Sequence, residues 1–103
     1  MNRDDEIQLL GQLGNLLERQ IELARHGDFA GLEQLAGQCE PLVVRITAAG
    51  LLENPAYKAE RERLVKFYRD IQMAISMQKD VTGEQLKSMR KHKKTLAIYR
   101  GNV

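Results

Sequence analysis

The residues of this chain that could do chemistry are few and lie far apart. Glu18 and Glu22 are four residues apart, a spacing that places two carboxylates on one face of a helix. Such pairs bind metal in di-iron helical bundles, but those bundles also need Glu-x-x-His pairs, which this sequence lacks. His26 and His92 each lack a second histidine or a cysteine at ligand spacing. We therefore expect solvated side chains here, with no metal site and no cofactor.

The single cysteine, Cys39, lies on an apolar stripe with helical spacing, which predicts a small buried core residue rather than a reactive thiol. One cysteine excludes an internal disulfide framework and is typical of a reducing compartment. The chain has neither a glycine-rich phosphate loop nor a serine elbow. The sequence predicts that the protein is not an enzyme and that its function depends on its surfaces.

A basic run at Lys87–Lys94, with Tyr99 beyond it, offers charges for phosphates and a ring that can stack on a base. It is also compatible with a solvated helical face, or with an amphipathic helix that receives a helix from a partner. The flexible thioethers of Met73, Met77 and Met89 suit the last interpretation, because methionine adapts to varied partners. Each of them is also compatible with a plain core role.

Composition and length favour one small all-α domain over residues 1–103. Hydrophobic residues make up 43% and aromatic residues 5%, so the core must be aliphatic. No apolar run approaches the roughly 20 residues that cross a bilayer. The first six residues lack the apolar core of a secretion signal, so we expect a cytoplasmic protein.

The net charge of +2 conceals an asymmetry between the two halves. Residues 1–55 carry four Lys/Arg against nine Asp/Glu, whereas residues 56–103 carry twelve against five. In an antiparallel bundle the halves attract each other, and a basic surface is left over at the C-terminal end.

Apolar periodicity predicts helices at about 4–26 and 29–49, joined at Gly27 and Asp28 into an antiparallel hairpin. Gly27 can close the first helix in the left-handed conformation and Asp28 can cap the second. A long C-terminal helix is predicted from about 55 to 80. It either continues or restarts after a break near residue 82 and reaches about 99, so the fold is a three-helix bundle with a possible fourth helix.

Pro41 falls inside the second helix, where the apolar register continues across it, so we expect a kink rather than a stop. Gly50 is predicted to end that helix. Asn54 and Pro55 are predicted to cap and open the third. Thr82 begins a capping-box pattern, Thr-Gly-Glu-Gln, which is the basis for a separate fourth helix.

In the segment Leu16–Leu35, Gly-Asp is followed by an aromatic residue and a leucine. A second helix and a basic third helix ending in Leu96–Tyr99 complete the pattern. With this pattern the sequence resembles the small flagellar type III export chaperones of the FlgN and FliT type. The resemblance covers nearly the whole chain. It implies a cytoplasmic protein without cofactor. Such a protein binds an amphipathic terminal helix of a flagellar filament, hook-associated or cap subunit, prevents its premature assembly and delivers it to the export apparatus.

In that family the long C-terminal helix is the usual contact element for the client. By position, and with the adaptable methionine and the terminal tyrosine added, the predicted partner-binding residues are Ile71, Ile75, Met77, Leu86, Met89, Leu96 and Tyr99. Two alternatives stay open. One is a nucleic-acid-binding or regulatory helical protein that uses the basic C-terminal helix, and the other is a generic helical homodimer.

Overall fold

The computed structural model describes residues 2–78 together with Arg90 and Lys94. Three helices occupy the described chain: α1 is Arg3–Arg25, α2 is Phe29–Ala48 and α3 is Lys58–Ser76. Two short 3-10 turns, Leu51–Glu53 and Pro55–Tyr57, join α2 to α3. No strand occurs within the described residues, and the predicted all-α fold, a hairpin followed by a C-terminal helix, is confirmed.

The hairpin junction forms as its residue types predict. Gly27 has φ +74°, a left-handed conformation that costs glycine little. Asp28 Oδ1 accepts a hydrogen bond from the Gly31 backbone N at 2.9 Å and so caps α2. The Asp28 backbone N donates to the Leu23 carbonyl at 2.9 Å, which satisfies one of the last acceptors of α1.

Helix α2 continues through Pro41 without a stop, and Pro41 lies on its exposed side. Gly50, at φ +68°, follows the end of the helix. Asn54 Oδ1 accepts from the Ala56 backbone N at 2.9 Å, so Asn54 is the predicted cap. However, Pro55 opens a 3-10 turn, and the α-helix begins only at Lys58.

At the other end, α3 stops at Ser76 instead of continuing to about residue 80. The Gln78 backbone N donates to the Ile75 carbonyl at 3.1 Å, an i to i−3 bond that tightens the last turn. The Gln78 side chain then turns back to α1, where Nε2 donates to the Ala24 carbonyl at 3.0 Å. The predicted continuation or restart to about 99 lies outside the described residues, apart from Arg90 and Lys94, which are helical.

Helix α1 is central, because it packs along both α2 and α3 whereas α2 and α3 contact each other only sparsely. It runs antiparallel to α2 and parallel to α3, as the pairs Gln20–Cys39 and Ala24–Gln78 indicate. The predicted stripe of α1 is buried except at its start, where Ile7 is 43% exposed. The core of the three helices includes Leu13, Leu17, Ala24, Leu32, Ile46, Leu64, Tyr68, Ile71 and Ile75.

Candidate partner-binding surface

Two of the predicted partner-binding residues lie in the core. Ile71 and Ile75 are one helical turn apart and both are 0% exposed. They share a face of α3 with Leu64 and Tyr68, and that face packs against α1. In this arrangement they stabilise the bundle and offer no surface to a partner.

The opposite face of α3 carries two exposed methionines. Met77, which the sequence predicted as a partner contact, is 77% exposed, and Met73 is 57% exposed. They are four residues apart and so lie side by side on the helix surface. Large apolar side chains that solvent reaches in adjacent pairs are candidates for partner contact. The structure therefore places the accessible apolar positions of α3 at 73 and 77.

The four remaining predicted contact residues lie outside the described residues: Leu86, Met89, Leu96 and Tyr99. Of the basic run between them, Arg90 and Lys94 are described. Both are helical and exposed, and their spacing places them one turn apart on one face.

Partly exposed residues lie along the margins of α2 and α3 on the side away from α1. On α2, Phe29, Ala36 and Val43 recur every seven residues, and all three are partly exposed. On α3, Val65 and Gln72 are seven residues apart and also partly exposed. The two helices contact each other only sparsely. We call these five residues the α2–α3 margin.

The opposite margins of both helices face α1, so the α2–α3 margin lies on the other side of each helix. On α3, Phe67 and Arg63 are the nearest side chains to Gly14 of α1. On α2, Arg45 lines a shallow depression with Gln8 and Gln12 of α1. The depression measures about 200 Å³, below the roughly 300 Å³ where small-molecule sites begin, and its lining is mostly polar.

The seam between α1 and α3 is closed on its outer side by a small charged group. Arg63 lies over the Phe67 ring, 5.1 Å from its centroid, and its Nη2 is 3.4 Å from Glu18 Oε1. Both ionic side chains are more than half exposed, so the pair contributes at most about 1 kcal/mol. Glu22 instead pairs with Arg25 at 3.2 Å. The two carboxylates considered for metal thus each face an arginine.

No cluster of three potential metal ligands occurs within the described part of the chain. His26 is exposed at the end of α1, and its Nδ1 lies 2.7 Å from the Glu22 carbonyl oxygen. His92 lies outside the described residues.

Cys39 is buried, as the sequence predicted, and it has a polar partner that the sequence analysis missed. Gln20 Nε2 donates to Cys39 Sγ at 3.1 Å, and Gln20 is 0% exposed. Burial raises the pKa of the Cys39 thiol from its ordinary 9.0 to about 11, against the opposing effect of the Gln20 hydrogen bond. A protonated, enclosed thiol is a weak nucleophile. The helical spacing could have predicted the burial of Gln20, because this residue lies between Leu17 and Ala24 in the apolar stripe of α1.

A second glutamine has a different environment. Gln72 Nε2, on the α2–α3 margin, is buried and has no hydrogen-bond partner in the described structure. At the base of the bundle Tyr57 is buried, and burial raises the pKa of its phenol, with the charge of Glu6 adding to the effect.

Among residues 2–78, no helix combines the length and the apolar character needed to cross a bilayer. Comparison with known proteins identifies no relative: no protein-family model, curated protein or solved structure matches this chain.

Proposed function

We propose that this chain is a cytoplasmic export chaperone. It binds an amphipathic terminal helix of a flagellar filament, hook-associated or cap subunit, prevents premature assembly and delivers that subunit to the export apparatus. The proposal starts from the resemblance of the Gly-Asp hairpin and the basic C-terminal region to such chaperones. The observation that supports it best is the pair of exposed methionines on α3, Met73 and Met77.

A surface of this kind suits a carrier that must release its cargo. Thioethers contribute apolar contact without a rigid shape, so they accept helices of differing sequence. An amphipathic helix contacts such a surface through residues three and four positions apart, the same spacing as Met73 and Met77. The further positions Leu86, Met89, Leu96 and Tyr99 extend the proposed contact set into the basic C-terminal region.

Co-purification with the C-terminal regions of flagellar structural subunits tests the proposal. The double variant Met73→Gln/Met77→Gln removes the exposed thioethers without changing the charge or the helix-forming tendency. We expect about a tenfold loss of affinity, because full burial of one exposed methionine side chain is worth about 1.5 to 3 kcal/mol. Val44→Gln is the matched control, since Val44 is 66% exposed on another helix.

Three results would contradict the proposal. One is that no flagellar subunit is retained. Another is equal loss in the Val44→Gln control, which would indicate nonspecific apolar contact. The third is unchanged affinity in the methionine variant, which would remove α3 as the contact element.

A second candidate function rests on the exposed, helical pair Arg90 and Lys94. Cations one turn apart on a helix can contact successive phosphates of a nucleic acid. This function predicts binding to DNA or RNA that weakens steeply with added salt and is reduced in Lys91→Ala, Lys93→Ala and Lys94→Ala variants. Binding that is absent or insensitive to salt excludes it.

A further inference from the structure

The sulfur-containing side chains of residues 2–78 fall into two classes that differ in their access to solvent. Met73 and Met77 are mostly exposed on the outer face of α3, whereas Cys39 is buried in the core. Oxidants of the peroxide class reach a protein sulfur from solvent, and they attack a thiol in its thiolate form. Within this part of the chain, the two thioethers are therefore the accessible targets.

Cys39 is protected by its protonation state as well as by its burial. Burial raises the pKa of its thiol to about 11, so that roughly one molecule in ten thousand carries the thiolate at pH 7. Its Sγ also accepts a hydrogen bond from Gln20 Nε2 at 3.1 Å, and Gln20 is itself buried. A peroxide that modifies the outer face of α3 therefore leaves the interior of the bundle unchanged.

The side chains of the two methionines contribute little to the stability of α3. The Met73 carbonyl accepts hydrogen bonds from the Met77 backbone N at 3.1 Å and from Ser76 Oγ at 2.9 Å. These bonds involve the backbone of the methionines and not their thioethers. Ile71 and Ile75 form the buried side of this part of the helix. A chemical change at the two sulfur atoms thus alters the surface of α3 without altering its packing against α1.

Oxidation of both methionines changes the character of the exposed patch. The sulfur lone pair attacks one oxygen of hydrogen peroxide, the O–O bond breaks and an S–O bond forms. The proton on the transferred oxygen moves to the departing hydroxide, which leaves as water. The sulfur is oxidised by two electrons, the peroxide is reduced, and the product is a polar sulfoxide. Since Met73 and Met77 lie side by side, two such steps replace an apolar surface by a polar one.

We propose that Met73 and Met77 form a reversible oxidation site at which a peroxide lowers the affinity of the chain for a client helix. Methionine sulfoxide reductases reverse the step, because a dithiol removes the sulfoxide oxygen as water and is itself oxidised to a disulfide. The loss of client affinity rests on the proposed function, whereas the selectivity of the oxidation does not.

Mass spectrometry of the full chain after treatment with hydrogen peroxide tests the selectivity. Trypsin cleaves after Arg69 and Lys79 and so releases residues 70–79, which contain both methionines, as one peptide. We expect this peptide to gain two oxygen atoms while Cys39 remains available for alkylation after denaturation. Circular dichroism should stay that of the untreated protein. Oxidation of Cys39 at least as fast as of this peptide, or unfolding when the pair is oxidised, overturns the proposal.

Affinity for the C-terminal region of a flagellar structural subunit tests the consequence of oxidation. The peroxide-treated chain should bind about tenfold more weakly than the untreated chain, as expected for Met73→Gln/Met77→Gln, because both changes put polar groups at the same positions. Treatment with methionine sulfoxide reductases and dithiothreitol should restore the affinity.

The double variant Met73→Leu/Met77→Leu is the matched control. Leucine keeps the apolar surface and a similar volume but has no sulfur to oxidise, while Met89 and Cys39 remain available to the oxidant. We expect this variant to bind the subunit equally well before and after peroxide treatment. An equal loss in the leucine variant would place the sensitive residue elsewhere in the chain and would overturn the proposal.

The outcomes distinguish this proposal from the proposed function. If the untreated chain binds but the oxidised chain binds equally well, the oxidation proposal fails and the chaperone function stands. If the untreated chain binds no flagellar subunit, the chaperone function fails and the effect on a client fails with it. The mass-spectrometric result then decides the oxidation site alone.

Discussion

The inner and outer faces of α3 both carry apolar side chains, but these side chains differ in their exposure to solvent. Ile71 and Ile75 on the inner face are fully buried against α1, whereas Met73 and Met77 on the outer face are mostly exposed. The two pairs interleave along the same seven residues and differ only in the direction they face around the helix. Hydrophobicity alone therefore does not identify a contact surface, and the position of the neighbouring helix decides which residues a partner can reach.

The sharpest test of this difference is truncation on each face. Ile75→Ala removes most of a side chain that is 0% exposed, and the cavity it leaves should lower the free energy of unfolding by about 2 to 5 kcal/mol. Met73→Ala, on the same helix, should change it by less than about 0.5 kcal/mol. Urea unfolding monitored by circular dichroism measures both values. Equal losses would show that the outer face is also packed.

A substitution at the hairpin junction, where the end of α3 contacts α1, should change stability less. Gly27→Ala forces a side chain into a backbone with φ +74°, and the added Cβ meets Gln78 Oε1 at 3.4 Å. The left-handed conformation should cost about 1 to 2 kcal/mol. Gly37→Ala is the control, because Gly37 lies within α2 and its added Cβ would meet no other atom within 4 Å. This substitution should stabilise the helix by about 1 kcal/mol. A melting temperature that rises in both variants would contradict the role of Gly27.

The smallest expected effect is a pH dependence that arises from the interior. Because burial raises the pKa of Cys39 in the folded chain to about 11, the unfolded chain releases the thiol proton first, near 9. The contribution of the neutral thiol to stability is therefore complete below pH 9 and is lost as the pH rises toward 11.

Urea midpoints measured between pH 7 and pH 10 should show this loss, about 1 kcal/mol at pH 10. A Cys39→Ala variant should lose that part of the slope, while the remaining slope reports other groups such as Tyr57. An identical slope in the two proteins would place the thiol in contact with solvent.

Local sequence signals predicted the elements of the fold well. Gly27, Asp28 and Asn54 act at the positions their residue types favour, because caps and left-handed turns depend on a few adjacent backbone groups. Predictions that required knowledge of neighbouring helices were less accurate. Ile7 continues the apolar stripe of α1 yet is 43% exposed, and α3 ends at Ser76, where Gln78 turns back to bond with α1.

The prediction of the contact residues was limited for the same reason. Periodicity grouped Ile71 and Ile75 on one face of the helix, and Met77 was added for its adaptable side chain. Neither criterion predicted which side α1 would cover. Gln20 is polar yet fully buried, and its amide donates a hydrogen bond to the Cys39 thiol of α2.

The sequence by itself determined an all-α chain, its hairpin and the opposite charges of its two parts, because these follow from local backbone preferences and residue counts. Only the tertiary structure decided that α1 is the central helix, that the isoleucines of α3 belong to the core and its methionines to the surface, and that α2 and α3 contact each other only sparsely. Those features depend on which helix faces meet, and helical periodicity defines faces without specifying their neighbours.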